Sequence, residues 1–392
     1  MMSRATRLLL IVQPADGGVP RHVLDIIEEL RPEEFEVTVA CPMHAFLWEQ
    51  LRGRDEIQLH SFTRHREPHL SDLAWIIKLA PLVRRNDVIH AHSSKAAWIA
   101  RASALLTGRR SSCVVTPHAW SFWALSGWRR RAVEALERVA AHACAAIVAV
   151  AHHEQADGLR LRIGHTEQYR VIRNGIDLER WGGDPRPDPN VVLMVGRLVP
   201  QKRPELAVHA MALAKRERPA MRLVITGGGP LEHALRALSA ALGLDDAVLL
   251  LGPRDDVPDL LSRAGCVLVT SAYEGCSLVI LEAMAAAVPV VAVRIGGIEE
   301  VLEDGVTGLL CDARAEDIAE ALILLVDHPE TARRLGDEAR RRARQRHSRR
   351  EMALALAALY QSLVPADRRP RALDARRRPP SGGLRRNDRL NR

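Results

Sequence analysis

Short apolar runs alternate with longer amphipathic stretches almost from one end of the chain to the other. Runs bounded by Gly, Pro, Asn or Asp predict buried strands, and stretches with apolar residues three or four apart predict helices. In the first half, strands are expected at 7–12, 36–40, 57–60, 87–90, 112–116, 146–150 and 169–172, with helices at 19–30, 70–84, 96–106, 128–142 and 152–160. In the second half the strands fall at 191–195, 222–226, 247–250, 266–271, 290–292 and 308–311, and helices at 330–346 and 350–363 close the pattern. Continuous apolar strands separated by helices argue for parallel sheets covered on both faces.

A dense breaker segment interrupts this beat. Asn174-Gly175-Ile176-Asp177 is followed by Gly182-Gly183-Asp184-Pro185-Arg186-Pro187-Asp188-Pro189, which reads as a linker. The expected class is α/β, with two facing Rossmann-like doubly wound domains and a ligand cleft between them. The expected boundaries are 1–180 for the first domain, 181–189 for the linker and 190–345 for the second domain. A helix at 346–364 should pack back toward the first domain, and 365–392 should be a disordered basic tail.

Length agrees with two domains, since 392 residues exceed one ordinary core. The net charge of +8 first suggests a nucleic-acid partner, but residues 367–392 hold ten Arg against three Asp, or +7, which leaves the body near +1. No nucleic-acid partner is therefore expected. Six scattered cysteines without a Cys-x-x-Cys pair suggest neither a disulfide framework nor a zinc knuckle, and fit a reducing cytoplasm. The apolar run at 8–12 is a strand length, far short of a membrane span, so the protein is expected inside the cell.

Four loops at predicted strand ends carry the candidate chemistry. Paired Gly17 and Gly18 precede a helix and could offer backbone N–H groups to an anion. Arg197 and Lys202, five residues apart after a strand, suit the two halves of a diphosphate. Gly227-Gly228-Gly229 invites a dinucleotide reading, but Glu232 occupies the third glycine place of that fingerprint, so a tight turn is expected. In the fourth loop Glu274 stands eight residues before Glu282, across the start of a helix near Ser277. Free N–H groups from Gly275 to Leu278 would face an anion there, and a carboxylate beside that anion suits a sugar hydroxyl. Together these groups describe a nucleotide-sugar site.

Glu-Gly-x-Ser-Leu-Val-x-Leu-Glu-Ala-Met-Ala, followed by Pro-Val-Val-Ala and preceded by Gly-Arg-Leu-x-x-x-Lys and Gly-Gly-x-x-x-His-Val, resembles the retaining glycosyltransferases of family 4, which have the GT-B fold. The resemblance spans about residues 5 to 360. It implies that Glu274 contacts the transferred sugar, Glu282 the ribose, and Arg197 with Lys202 the diphosphate. Gly17, Gly18 and the backbone of Gly275, Cys276, Ser277 and Leu278 would complete the phosphate cradle. Arg254 would border the base, and His118 matches a family histidine that faces the sugar. The catalytic set is then Glu274, His118, Arg197 and Lys202, with no cofactor and no metal. His90 and His92 alternate along a strand without an evident third ligand and read as structural. Cys276 departs from the small or Pro residue that the family often has there.

The acceptor side is expected to be a lipid-linked or other glycan. Trp120, Phe122, Trp123 and Trp128, followed by Arg129-Arg130-Arg131, suit a bilayer interface, with helix 128–142 lying on an anionic membrane as a peripheral contact. A sugar-nucleotide epimerase and a non-catalytic nucleotide-sugar-binding protein are the alternatives.

Overall fold

The computed structural model describes residues 4–365, apart from 66, 68 and 183–185. The basic tail and the centre of the expected linker lie outside these residues. The first sheet and its helices run β1 (Thr6–Val12), α1 (Gly18–Glu29), β2 (Phe35–Pro42), α2 (Phe46–Leu51), β3 (Ile57–Phe62), α3 (Ser71–Arg85), β4 (Val88–His92), α4 (Ser94–Leu106), β5 (Cys113–Thr116), α5 (Gly127–Ala141), β6 (Ala146–Ala149), α6 (His152–Arg160) and β7 (Tyr169–Val171). A short helix, α7 (Leu178–Trp181), leads to β8 (Asp188–Val195), α8 (Pro204–Glu217), β9 (Arg222–Thr226), α9 (Glu232–Ala241), β10 (Val248–Gly252), α10 (Val257–Arg263), β11 (Ala264–Val269), α11 (Leu278–Ala285), β12 (Val290–Val293), α12 (Gly296–Glu299) and β13 (Leu309–Cys311). Helices α13 (Ala315–Asp327), α14 (Pro329–Arg346) and α15 (Arg349–Leu363) follow.

Both sheets are parallel, with strand orders β3-β2-β1-β4-β5-β6-β7 and β10-β9-β8-β11-β12-β13. The central strands are almost wholly buried, whereas edge strands β3 and β10 are partly exposed. Leu8 to Val12 of β1 and Val290 to Ala292 of β12 have no exposure, which is why these runs show no polar alternation. Each sheet reverses its strand order once, at β1/β4 and at β8/β11. Crevices at such reversals collect ligands because the flanking loops diverge to opposite faces.

Right-handed crossovers place α1 and α2 on one face of the first sheet and α3, α4 and α5 on the other. Helix α15 returns to the first face, where Met352, Leu356, Leu359 and Tyr360 join one core with Val23, Leu24 and Leu47. Two features of the breaker segment differ from the sequence reading. Trp181 is the buried end of α7, and Asp188 and Pro189 already belong to β8, where Asp188 pairs with Ala264. Four-residue α7 is capped by Asp177, whose carboxylate accepts from the amides of Glu179 and Arg180, a local signal that the surrounding breakers obscured.

Candidate active site

The two reversal points bring the candidate loops together. In the second sheet, the loop after β8 carries Arg197 and Lys202, and the loop after β11 carries Glu274. Lys202 Nζ donates to Glu274 Oε1, and Ser271 Oγ donates to the same oxygen at 2.7 Å. The sequence reading gave Lys202 a phosphate and Glu274 a sugar, and it missed that the two meet each other. Arg203, a residue it passed over, fixes the register of both loops. Its guanidinium donates to the carbonyls of Thr270 and Ser271 at 2.8 Å each, and its own backbone is left-handed (φ 45°).

The glycine run after β9 serves these loops and not a dinucleotide. A Cβ on Gly227 would lie 2.0 Å from the Gly196 carbonyl oxygen, and one on Gly229 would lie 2.4 Å from that of Leu198. Only bare backbone allows the turn to lie against the Arg197 loop.

Ser277 precedes the first residue of α11, and its side chain makes no capping bond to the helix. Cys276 is buried with its thiol pushed up to about 12 by desolvation, which removes it as a nucleophile. The Cys276 carbonyl accepts from Asn174 Nδ2 at 3.0 Å, tying this turn to the connection between the sheets. Glu282, one turn into α11, is buried, and desolvation lifts its carboxyl to about 7 against the opposing pull of Arg21. Arg21 lies on α1, so the first sheet's helix supplies the counter-charge.

Across the cleft, Gly17 opens α1 with φ 93°, and a Cβ there would lie 3.8 Å from Arg197 Nε. Gly18 faces the Leu278 side chain, whose Cδ1 would lie 3.3 Å from a Cβ at that position. Helix starts α1 and α11 therefore face each other. Gly275 has a role the sequence reading assigned to a ligand. A Cβ there would sit 2.3 Å from the His118 carbonyl oxygen, so backbone meets backbone between the two halves.

His118 itself is half-buried with φ 63°, an uncommon conformation for a side-chain-bearing residue. Its Nε2 lies 3.1 Å from His92 Nδ1, and its ring meets that of His22 edge-on at 4.7 Å. The expectation that His90 and His92 lack a third partner needs correction. His22, His92 and His118 offer ring nitrogens all within 4.8 Å of one another, a group of the size that could hold a metal ion. Helix α1 brings in His22 from the other side of the β1/β4 crevice, a convergence that strand alternation alone does not reveal. The signal was present as the histidine of Gly-Gly-x-x-x-His. Burial keeps these imidazoles neutral, with His22 lowered to about 4 and His90 to about 3. His90 does read as structural, since Tyr360 Oη and Thr116 Oγ1 each lie 2.7 Å from its two ring nitrogens.

A cavity of about 790 Å³ opens beside Glu274 and Arg197. Trp123, Arg130 and His153 line it from the first half, and Tyr273 and Gly296 from the second. Trp123 stacks on His153 at 5.3 Å and donates its indole N–H to Asp157 at 2.8 Å. The aromatic cluster therefore divides: Trp120 and Phe122 are core, Trp123 is cavity wall, and Trp128 alone is exposed. Arg254 stands apart from the other candidates, exposed beyond the end of β10 and held by Asp256 at 2.5 Å.

Two doubly wound parallel sheets with a site built from the loops at both reversal points define a GT-B glycosyltransferase. The profile described as Glycosyl transferases group 1 matches residues 176–342, and that described as Glycosyltransferase Family 4 matches residues 16–180. The α-maltose-1-phosphate synthase of Mycolicibacterium smegmatis is 31% identical over 369 residues, covering 83% of this chain and 90% of the relative. The Escherichia coli UDP-Gal:α-D-GlcNAc-diphosphoundecaprenol α-1,3-galactosyltransferase is 27% identical over 343 residues, covering 81% and 86%. Among solved structures, Anabaena HepE in complex with UDP and glucose superposes with a TM-score of 0.78 at 23% identity, covering 92% of this chain and 100% of that one. The chain belongs to glycosyltransferase family 4, the group 1 glycosyl transferases, and is an enzyme that uses a nucleotide sugar.

Proposed function

We propose that the protein transfers a sugar from a UDP- or GDP-linked donor, with retention of anomeric configuration, to a hydroxyl of a lipid-linked glycan at the membrane surface. The observation that carries this reading is the position of Glu274, paired with Lys202 on one side and lining the cavity with Arg197 on the other. A carboxylate beside two cations and a helix start is suited to a ligand that presents hydroxyls next to a diphosphate.

In this reading Arg197, Lys202 and the amides of Gly275, Cys276, Ser277 and Leu278 hold the diphosphate, with Gly17 and Gly18 closing from α1. Glu274 takes the sugar hydroxyls, Glu282 the ribose and Arg254 the edge of the base, while His118 faces the sugar. The acceptor oxygen attacks the anomeric carbon from the face that the leaving group departs. The new C–O bond forms as the bond to the phosphate oxygen breaks, and the acceptor proton passes to that oxygen. Negative charge grows on the nucleoside diphosphate, where Arg197, Lys202 and the α11 amides stabilise it. The scheme assigns no metal and no cofactor.

The lipid-linked acceptor is favoured by the E. coli relative, whose name specifies a diphosphoundecaprenol-linked sugar. Incubation with UDP- and GDP-sugars, with and without membrane lipid extract, tests the proposal. Acceptor-dependent release of nucleoside diphosphate is expected; isomerised donor, or binding without release, would overturn it.

A further inference from the structure

Helix α5 is built inside out. Its inward face carries Glu134 and Glu137, and Glu137 is held by Arg101 at 2.8 Å and by the Trp98 indole N–H at 2.5 Å, both on α4. Its outward face carries Trp128, Ala132, Ala135, Leu136 and Val139. Positions 128, 132, 135 and 139 fall on one line along a helix of 3.6 residues per turn. Trp128 is 75% exposed and Val139 70%. Arg129 edges the stripe on one side and Arg131 with Arg138 on the other, and every acidic residue of the helix is buried. A helix that turns its ion pairs to the core and its apolar stripe outward is not explained by water as its only solvent.

Helix α3 repeats the arrangement. Leu73 and Ile77, one turn apart, are each 67% exposed, with Lys78, Arg84 and Arg85 beside them. The one acid of its first turn, Asp72, is paired with Lys95 of α4 at 3.0 Å. Helix α4 lies between the two, packed against α3 and pinned to α5, and exposes Leu105 and Leu106 at its end. Eight of the fourteen large apolar residues exposed among the described residues lie on or beside these three helices. Single exposed apolar residues need no explanation, but a shared face with only basic edges does.

We propose that the outward face of α3, α4 and α5 docks on an anionic lipid bilayer and seats the inter-domain cavity at the headgroups. The occupant follows from the charge. Two copies meeting through this face would set arginine against arginine, whereas anionic headgroups complement every charged edge. A tryptophan at the end of an amphipathic helix flanked by arginines suits the boundary between headgroups and acyl chains. The geometry also connects the face to the site. Trp128 and Arg130 are two residues apart on the first turn of α5, the former projecting outward and the latter lining the cavity. A lipid-anchored acceptor would thus need to pass only the width of one helix, ~10 Å; this link rests on the acceptor proposed above, while the docking itself does not.

The test is co-sedimentation of the full chain with vesicles of phosphatidylcholine alone or mixed in equal parts with phosphatidylglycerol. Binding to the mixed vesicles, with little to the neutral ones, is expected. The paired change Trp128→Ser with Val139→Ser should weaken it by at least tenfold, and Leu73→Ser with Ile77→Ser should do the same. Arg129→Gln should cost roughly fivefold, the loss of one basic residue near the surface. Melting temperature and turnover with a soluble acceptor should stay unchanged, because these side chains face outward. Unaltered binding in both paired variants would overturn the proposal and assign attachment to residues elsewhere, such as the basic tail. So would equal binding to neutral vesicles, or a concentration-dependent dimer that the same substitutions dissolve. Wild-type protein that binds vesicles yet transfers to no lipid acceptor would instead sink the acceptor reading and leave the docking face standing.

Discussion

Lys202 and Glu274 are ion-paired across the strand reversal of the second sheet, and both side chains are largely withdrawn from water. Each therefore holds the other's charge in place. With a donor bound, the ammonium would turn toward the diphosphate as the carboxylate takes up sugar hydroxyls. Lys202→Ala removes the cation that the proposed mechanism sets against the leaving diphosphate, and leaves Ser271 as the hydrogen-bond partner of Glu274 among the described residues. A loss of at least about a hundredfold in kcat is expected from the first effect. About 3 kcal/mol of stability should go with the second, because a buried charge loses its counter-ion. The double variant Lys202→Ala/Glu274→Ala should regain much of that stability and none of the turnover. Urea denaturation and initial rates on the three variants measure both.

Gly275 presents a sharper steric demand. A methyl group there would meet the His118 carbonyl oxygen at 2.3 Å, and since that atom is backbone it cannot rotate away. Gly275→Ala is expected to separate the α11 start from the first sheet, lowering both turnover and melting temperature, with a stability cost of about 1–3 kcal/mol. Gly228→Ala is the matched control, because its nearest neighbours are side-chain atoms of Pro253 at 3.4 and 3.7 Å. Near wild-type behaviour of Gly275→Ala would show that the two halves do not need this contact.

The thirteen strands among the described residues and their division into two sheets were legible because the central strands are continuous apolar runs between breakers, as at Leu8 to Val12, while edge strand β3 alternates apolar Ile57 and Leu59 with Gln58 and His60. The candidate loops stood out for a related reason: a ligand at strand ends would select residue types, such as Arg197 and Lys202, that a solvated turn does not require. What was hidden depends on approach in space. His22 and His92 are seventy residues apart in sequence, and only the β1/β4 reversal sets them side by side. Arg21 reaches Glu282 from the other sheet's helix, and no local pattern signals it. Trp120 and Trp128 look alike in sequence, yet one faces the core and the other solvent, because α5 begins between them at Gly127.

If Glu282 holds the ribose as proposed, donor binding has a pH dependence of definite sign. Burial lifts its carboxyl to about 7, opposed by Arg21, and Asp25 on the same arginine is lifted to about 7 as well. Ribose hydroxyls donate to the ionised form, so donor affinity should fall as pH drops below about 7, approaching tenfold per unit if only the carboxylate binds. The unliganded fold has the opposite trend. A carboxyl raised above its unfolded value favours the protonated native state, so this contribution to stability is lost as pH rises toward 7. Glu282→Gln should flatten the donor-affinity profile measured by calorimetry between pH 5.5 and 8, an interval of roughly one to two units either side of the midpoint. A slope that survives in Glu282→Gln and vanishes in Asp25→Asn would assign the effect to the wrong carboxylate.

The histidine cluster should set the acid limit of the fold. His22 is lowered to about 4 and His90 to about 3, with His92 and His118 also well below the ordinary value, all by burial. The unfolded chain takes up these protons first, so stability is expected to fall steeply as pH drops from about 6.5 toward 4. His90→Gln should lessen that slope in thermal melts. Under the proposed mechanism, dialysis against EDTA should leave turnover unchanged even though His22, His92 and His118 lie close enough to share an ion.

The connection between the two sheets is hydrogen-bonded to the turn before α11 through the Asn174 side chain. Asn174 Nδ2 donates to the Cys276 carbonyl, while the Asn174 backbone carbonyl accepts from His347 Nδ1 at 3.0 Å. Ile176 N–H donates to the His347 carbonyl at 2.9 Å and Arg349 N–H to that of Ile176 at 3.1 Å, so the two chain crossings are stitched together. Gly175 allows this, since a Cβ would lie 2.4 Å from the Ser348 carbonyl oxygen. Arg349 adds ion pairs to Glu28 and Glu29 at 2.7 Å and to Asp177 at 3.1 Å, fixing the crossings to α1. Any shift of the crossings is thereby passed to the turn whose amides would face the donor in the proposed mechanism. Asn174→Ala should raise donor KM by about tenfold, the worth of one buried hydrogen bond, with a smaller effect on kcat at saturating donor. Asn174→Asp should be no better, because an ionised carboxylate cannot donate to a carbonyl and would repel it. If Asp restored the wild-type KM, the bond to Cys276 would not be what positions the turn, and the coupling would have to run through His347.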